Sequence, residues 1–162
     1  MKRLLIYSTI VLTLLSDSQP IFPQTEKDFR TRYATVYYED DNDVNLFLWR
    51  IGGGRFEFST SAELALNRID RIVEKVGTIL DMRPRDFTLN VYLLREPPGP
   101  DNFAYYDNKT KSIYISIDNS SQGIFAHAVA HAIINQYFTP PTPSKMQDIL
   151  TQYVDRYLWS DY

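Results

Sequence analysis

Apolar residues change their spacing several times along the chain, and those changes outline its elements. Residues 33–38 (Tyr-Ala-Thr-Val-Tyr-Tyr) are mostly β-formers and predict a first strand. Apolar residues at 44, 47, 48 and 51 recur at helical spacing, and Gly52, Gly53 and Gly54 end that helix in a flexible turn. No Lys-Ser/Thr follows the glycines, so a phosphate cradle is not indicated. Ser59, Thr60 and Ser61 with Glu63 form a capping signal. Beyond it, apolar positions 62, 65, 66, 69, 72, 73, 76 and 80 predict the longest helix, closed by Pro84. Residues 87–94 predict a second strand, and Pro97, Pro98, Gly99 and Pro100 a rigid loop. Residues 103–106 and 112–117 predict a hairpin, with Ile113, Ile115 and Ile117 on one face and Ser112, Tyr114 and Ser116 on the other. Asn119, Ser120 and Ser121 then cap a helix over 123–138. Three prolines at 140, 141 and 143 break it. Ser144 caps a last helix through Met146, Ile149, Leu150, Tyr153, Val154 and Leu158. The order strand, helix, helix, strand, hairpin, helix, helix predicts an α+β domain with a small mixed or antiparallel sheet.

The N-terminus carries a different pattern. Lys2 and Arg3 precede a short apolar run at 4–15, and Ser16-Asp17-Ser18 offers small residues spaced like a cleavage site. Residues 1–18 therefore read as a signal peptide or, uncleaved, as an N-terminal anchor. The body is expected outside the cytoplasm, periplasmic or extracellular, touching a membrane only through an uncleaved segment. Residues 19–32 are polar with Pro20 and Pro23 and read as a linker, leaving one domain over 33–162. A net charge of −3 gives no basic face for nucleic acid. The chain has no cysteine, so any metal must sit on His, Asp, Glu or water. The acidic run at 39–43 lacks the Gly and closing Glu of a calcium loop and reads as a solvated cap of the next helix.

Both histidines of the protein lie in the apolar helix, as His127-Ala128-Val129-Ala130-His131. Four residues apart, they share a face, roughly 5–6 Å apart at Cβ, and can reach one ion at about 2.0–2.1 Å. Two histidines on a core helix also arise without a metal, each satisfying a backbone carbonyl. The following helix carries Asp148-Ile149-Leu150-Thr151-Gln152-Tyr153-Val154-Asp155.

Together these stretches resemble the zincin-fold metallopeptidases with a downstream acidic ligand, the gluzincins. In that family H-E-x-x-H supplies two zinc ligands and a general base, and a segment like E-G-L-A-E-Y-V-E supplies the third ligand. The resemblance spans about residues 33–159, and its specificity lies in 112–155. It implies a zincin-like fold with zinc on His127, His131 and Asp148, and Gln152 behind the histidines. It also implies a Tyr-rich hairpin edge lining a cleft for a peptide or protein segment. Tyr105, Tyr106 and Tyr114 are the phenols that could meet an oxyanion or substrate, although hairpin aromatics more commonly pack.

Three departures bear on activity. Ala128 stands where the base belongs, and a positioned base contributes about 10²–10⁴ in rate. Asp148 is one methylene shorter than Glu. Gln152 brings no charge. The expectation is a zinc-binding, inactive or strongly impaired peptidase that binds peptide segments. One alternative is an active peptidase using another base, with Asp155 and residues 39–43 as candidates, or an engineered Glu-to-Ala form of one. The other is a metal-free interaction or scaffold domain.

Overall fold

The computed structural model describes residues 27–52 and 58–159, without the side chains of 58–62 and 65. The expected signal segment, most of the expected linker, and Gly53 and Gly54 lie outside the described residues. The elements are β1 (Lys27–Arg30), β2 (Ala34–Tyr38), α1 (Asp41–Gly52), α2 (Phe58–Leu80), β3 (Leu89–Leu94), β4 (Ala104–Asp107), β5 (Ser112–Ser116), α3 (Gln122–Tyr137) and α4 (Ser144–Tyr157). The protein is α+β, with a five-stranded mixed sheet and four helices.

Strand order is β1-β2-β3-β5-β4. The central pairs β2–β3 and β3–β5 are parallel, and the edge pairs β1–β2 and β4–β5 are antiparallel. Parallel neighbours need a crossover. Helices α1 and α2 provide it between β2 and β3, whereas β4 lies between β3 and β5 in sequence and is placed outside β5. Alternation sorts the strands. Val36, Val91, Ile113 and Ile115 are fully buried and join helix residues in one core cluster. The intervening Tyr37, Tyr92, Tyr114 and Tyr105 are register partners across four strands. Their rings stack at 4.6, 5.0 and 5.0 Å between centroids.

Strand β1 corrects the linker expectation. Residues 27–30 pair with β2, although only Phe29 is half-buried and Lys27, Asp28 and Arg30 are exposed. A short, charged edge strand carries almost no hydrophobic signal and resists pairing with other chains. The acidic run caps α1. The Asp40 side chain accepts the Asn42 backbone N–H at 2.8 Å, and Asp41 and Asp43 stand in the first turn. Carboxylates there complement the helix dipole. Arg95 then binds Asp43 at 3.1 Å, fastening α1 to the end of β3.

Helix α3 is apolar nearly all round, as a helix wrapped by its own protein should be. Phe125, Ala126, Val129, Ala130, Ala132, Ile133 and Ile134 are all buried. Ser121 caps it as expected, accepting the Ile124 backbone N–H at 3.2 Å. Helix α4 departs in detail. Pro143, not Ser144, occupies the cap position, and its carbonyl accepts Met146 and Gln147 N–H groups. Proline's fixed φ suits this junction and no side-chain cap forms. Among the described residues no helix is long and apolar enough to cross a membrane.

Candidate functional site

The edge strand β4, α3 and α4 enclose an open cleft of about 780 Å³. One wall is residues 101–106, including the start of β4. The floor is the exposed side of α3, with Ser121, Gly123, Ile124, His127, Ala128 and His131. The far wall is α4 and its end, with Ser144, Gln147, Asp148, Asp155, Leu158 and Trp159. Strand β4 is the last in the sheet, so its outer edge is unpaired among the described residues. Phe103 O accepts Ser116 N–H at 2.8 Å. Antiparallel pairing repeats every second residue, so Tyr105 and Asp107 point their backbone groups at β5. Ala104 and Tyr106 point theirs at the open edge.

His127 and His131 lie side by side on this floor, ring centroids 5.1 Å apart and tilted by 64°. Each is met from α4 at Nδ1. Asp155 Oδ2 lies 2.9 Å from His127 Nδ1, and Gln147 Oε1 lies 3.4 Å from His131 Nδ1. A carboxylate only accepts, so His127 donates from Nδ1. Gln147 is fixed by its other bonds. Its Nε2 donates to Thr142 O at 2.8 Å and Asn135 Oδ1 at 3.3 Å, and its Oε1 accepts from Asn135 Nδ2 at 2.9 Å. The oxygen therefore faces His131, which also donates from Nδ1. In the neutral rings both Nε2 lone pairs are left unprotonated.

The environments of the two rings differ. The side chains of His127 and Asp155 are 41% and 44% exposed, so their hydrogen bond is open to solvent. His131 is more buried. Burial first, and the neighbouring His127 second, hold its pKa below the ordinary imidazole value, against the opposing pull of Gln147, Asp148 and Asp155. These surroundings favour the neutral form of His131.

The expected site residues distribute as follows. His127, His131 and Ala128 share the cleft floor, and Asp148 lies on its wall. Gln152 is exposed, does not line the cleft, and is not the partner of His127; Asp155 is. The reason is the rotation of α4 about its axis, which turns 147, 151 and 155 toward α3. Tyr106 lines the cleft, and its hydroxyl lies 3.5 Å from Gln136 Nε2 and 3.4 Å from Asn108 Oδ1. Burial raises its pKa, partly offset by the Gln136 bond, which keeps the phenol protonated. Tyr105 reaches the rim with its ring stacked on Tyr114. Tyr114 is 6% exposed and is not among the cleft residues, because its position in β5 alternates away from the helices.

Two polar residues that sequence reading missed, Gln147 and Asn135, hold His131. Asn135 follows His131 by four residues and also donates to the His131 carbonyl at 2.9 Å, a spacing that could have flagged it.

The other acids weighed as a base are engaged or elsewhere. Asp155 already accepts from His127. Within the run at 39–43, Asp43 is paired with Arg95 and Asp41 with Lys27, and none of the run lines the cleft. Among the described residues no three His, Cys, Asp or Glu side chains form a group that could hold a metal. The donor set fits zinc at the two imidazoles, with Nδ1 atoms backed as metal-binding histidines require, and does not fit at a third protein ligand. No protein-family profile, curated protein or solved structure matches the chain.

Proposed function

We propose that the protein is an exported, zincin-like domain that binds extended peptide segments along β4 and does not cut them. The observation that supports this most is the meeting of an open sheet edge with a deep, polar cleft whose floor has Ala128 at the place of a general base. An extended segment adds to such an edge through backbone bonds, here to Ala104 and Tyr106, and takes its specificity from side-chain pockets. Asp101, Asp148 and Asp155 line the cleft, and among the described residues no Lys or Arg does. That charge balance favours a segment carrying Lys or Arg. A zinc ion, when held, belongs on His127 and His131, and no step of peptide binding passes through it. The metal-free interaction domain remains the second reading, favoured by the absence of a three-donor group among the described residues.

The test uses Ala104→Pro. Proline removes one N–H from the open edge and leaves the β4–β5 ladder intact. A set of basic and acidic peptides from an alkylated, unfolded protein is titrated in EDTA by fluorescence anisotropy. Basic segments should bind the unaltered chain intact, as read by mass spectrometry, and bind Ala104→Pro at least about tenfold more weakly. Cleaved peptides, or equal binding by a folded Ala104→Pro variant, would reject the proposal.

A further inference from the structure

We infer that position 151 is where this cleft lacks its third metal donor, so that the native chain offers a divalent cation two imidazoles and no carboxylate. The inference rests on the reading that the imidazole pair faces the cleft, and not on peptide binding. Two cross-helix bonds fix how α4 lies against α3. Asp155 meets His127 and Gln147 meets His131, so the helices run antiparallel, with the longer 147–155 span of α4 bracketing the 127–131 span of α3. Thr151 is four residues from each α4 partner and therefore on the same face of α4, midway between them along the helix. It is 1% exposed, and its hydroxyl is turned back along the helix to Asp148 O at 3.1 Å.

The resemblance to the zincin-fold family leads to the same position by a separate route. It places the third ligand at Asp148 and the residue behind the histidines at Gln152, four residues apart. The residue that orients His127 in the structure is Asp155. Four residues before it stands Thr151. The whole pattern is displaced by three residues, just under one helical turn, and the displaced ligand position carries a side chain too short and too poor a donor for the role. Asp148, where the match places the ligand, is an exposed residue of the cleft wall.

Zinc affinity of the full chain, measured by competition with a chromophoric chelator and by zinc-dependent thermal shift, decides the matter. Unaltered protein and Asp148→Asn should bind zinc weakly and within about threefold of one another. Thr151→Glu should bind at least about tenfold more tightly. Zinc should raise the Tm of that variant, and His131→Ala added to it should abolish the gain. A tight one-to-one complex of the unaltered chain that Asp148→Asn weakens tenfold would overturn the inference, since Asp148 would then be the donor. So would a Thr151→Glu variant, folded by far-UV circular dichroism, that holds zinc no better than the parent. Should Thr151→Glu fail to fold, the Asp148→Asn comparison decides alone: equal affinity supports the inference and loss overturns it. The peptide titration is run in EDTA, so its failure and this one are told apart.

Discussion

A proton on His131 is disfavoured twice, by burial and by the ring of His127. The native state therefore takes up that proton less readily than the unfolded chain. Where the unfolded chain binds more protons, stability falls as pH falls. Stability linked to His131 is fully present above the ordinary imidazole value of about 6.5 and is lost as pH drops through the lower native value. His131→Asn should flatten this part of the profile. Melting temperatures of the two proteins, scanned downward from pH 7.5, should fall less for the variant in the imidazole range. Parallel curves would show that the burial of His131 carries no linkage. The same side chain illustrates what a sequence makes legible at this scale. The shared face of His127 and His131 followed from spacing alone. Their partners did not, because a helix rotated by a fraction of a turn exchanges Gln152 for Asp155, and no local signal fixes that rotation. Nor did Tyr114 separate from Tyr106 until alternation in β4 and β5 was tied to the side the helices cover.

Long periodic elements were readable because one face of each joins the helix-side core, even where, as in β5, the other face is buried too. Residues 62–80, 87–94 and 112–117 all fall within or beside the observed α2, β3 and β5. Pairing between distant strands was not readable. Neither the parallel neighbours of β3 nor the alignment of Tyr37, Tyr92, Tyr114 and Tyr105 is a local property. That alignment gives the sheet a device on its outer face. Four rings at near-van der Waals separation tie β2, β3, β5 and β4 together where no helix-side core residue reaches. Stacked cross-strand aromatics contribute roughly 0.5–1.5 kcal/mol per pair beyond area. Tyr92 takes part in two stacks and Tyr37 in one. Tyr92→Ala should therefore cost about 2–3 kcal/mol and Tyr37→Ala about 1 kcal/mol, measured by urea unfolding with near-UV circular dichroism following the rings. Equal losses would mean that the rings act singly and the stack adds nothing. A ladder that stiffens β4 also matters for the cleft, since a strand adding to this edge needs a fixed row of backbone groups to meet.

At the scale of the molecule, the cleft depends on the cooperativity of one core. A single cluster runs from Ala34 in β2 to Leu158 beyond α4, and it includes Ala128, Val129 and Ala130 between the two histidines. One link from outside the cleft is Phe47 of α1, fully buried and edge-on to Phe125 of α3 at 5.4 Å and 88°. Phe125 precedes His127 by two residues, so its ring holds the inner side of the helix whose outer side is the cleft floor. Truncating a buried Phe to Ala costs about 3–5 kcal/mol, a large share of the roughly 5–15 kcal/mol that stabilises a domain of this size. Because the core is continuous, this loss should not be confined to α1. In Phe47→Ala the unfolding free energy from urea titration should fall by that amount, and the midpoint with it. With Trp49 replaced by Phe so that Trp159 at the cleft wall alone reports, far-UV circular dichroism, Trp fluorescence and peptide binding should all be lost at one shared midpoint, as a two-state domain requires. If binding and Trp159 fluorescence were lost well before the helical signal, α3 and α4 would form a separate, weaker unit. The cleft would then be a hinged surface on a stable sheet, and the rigid edge-and-floor geometry assigned to peptide binding would not hold.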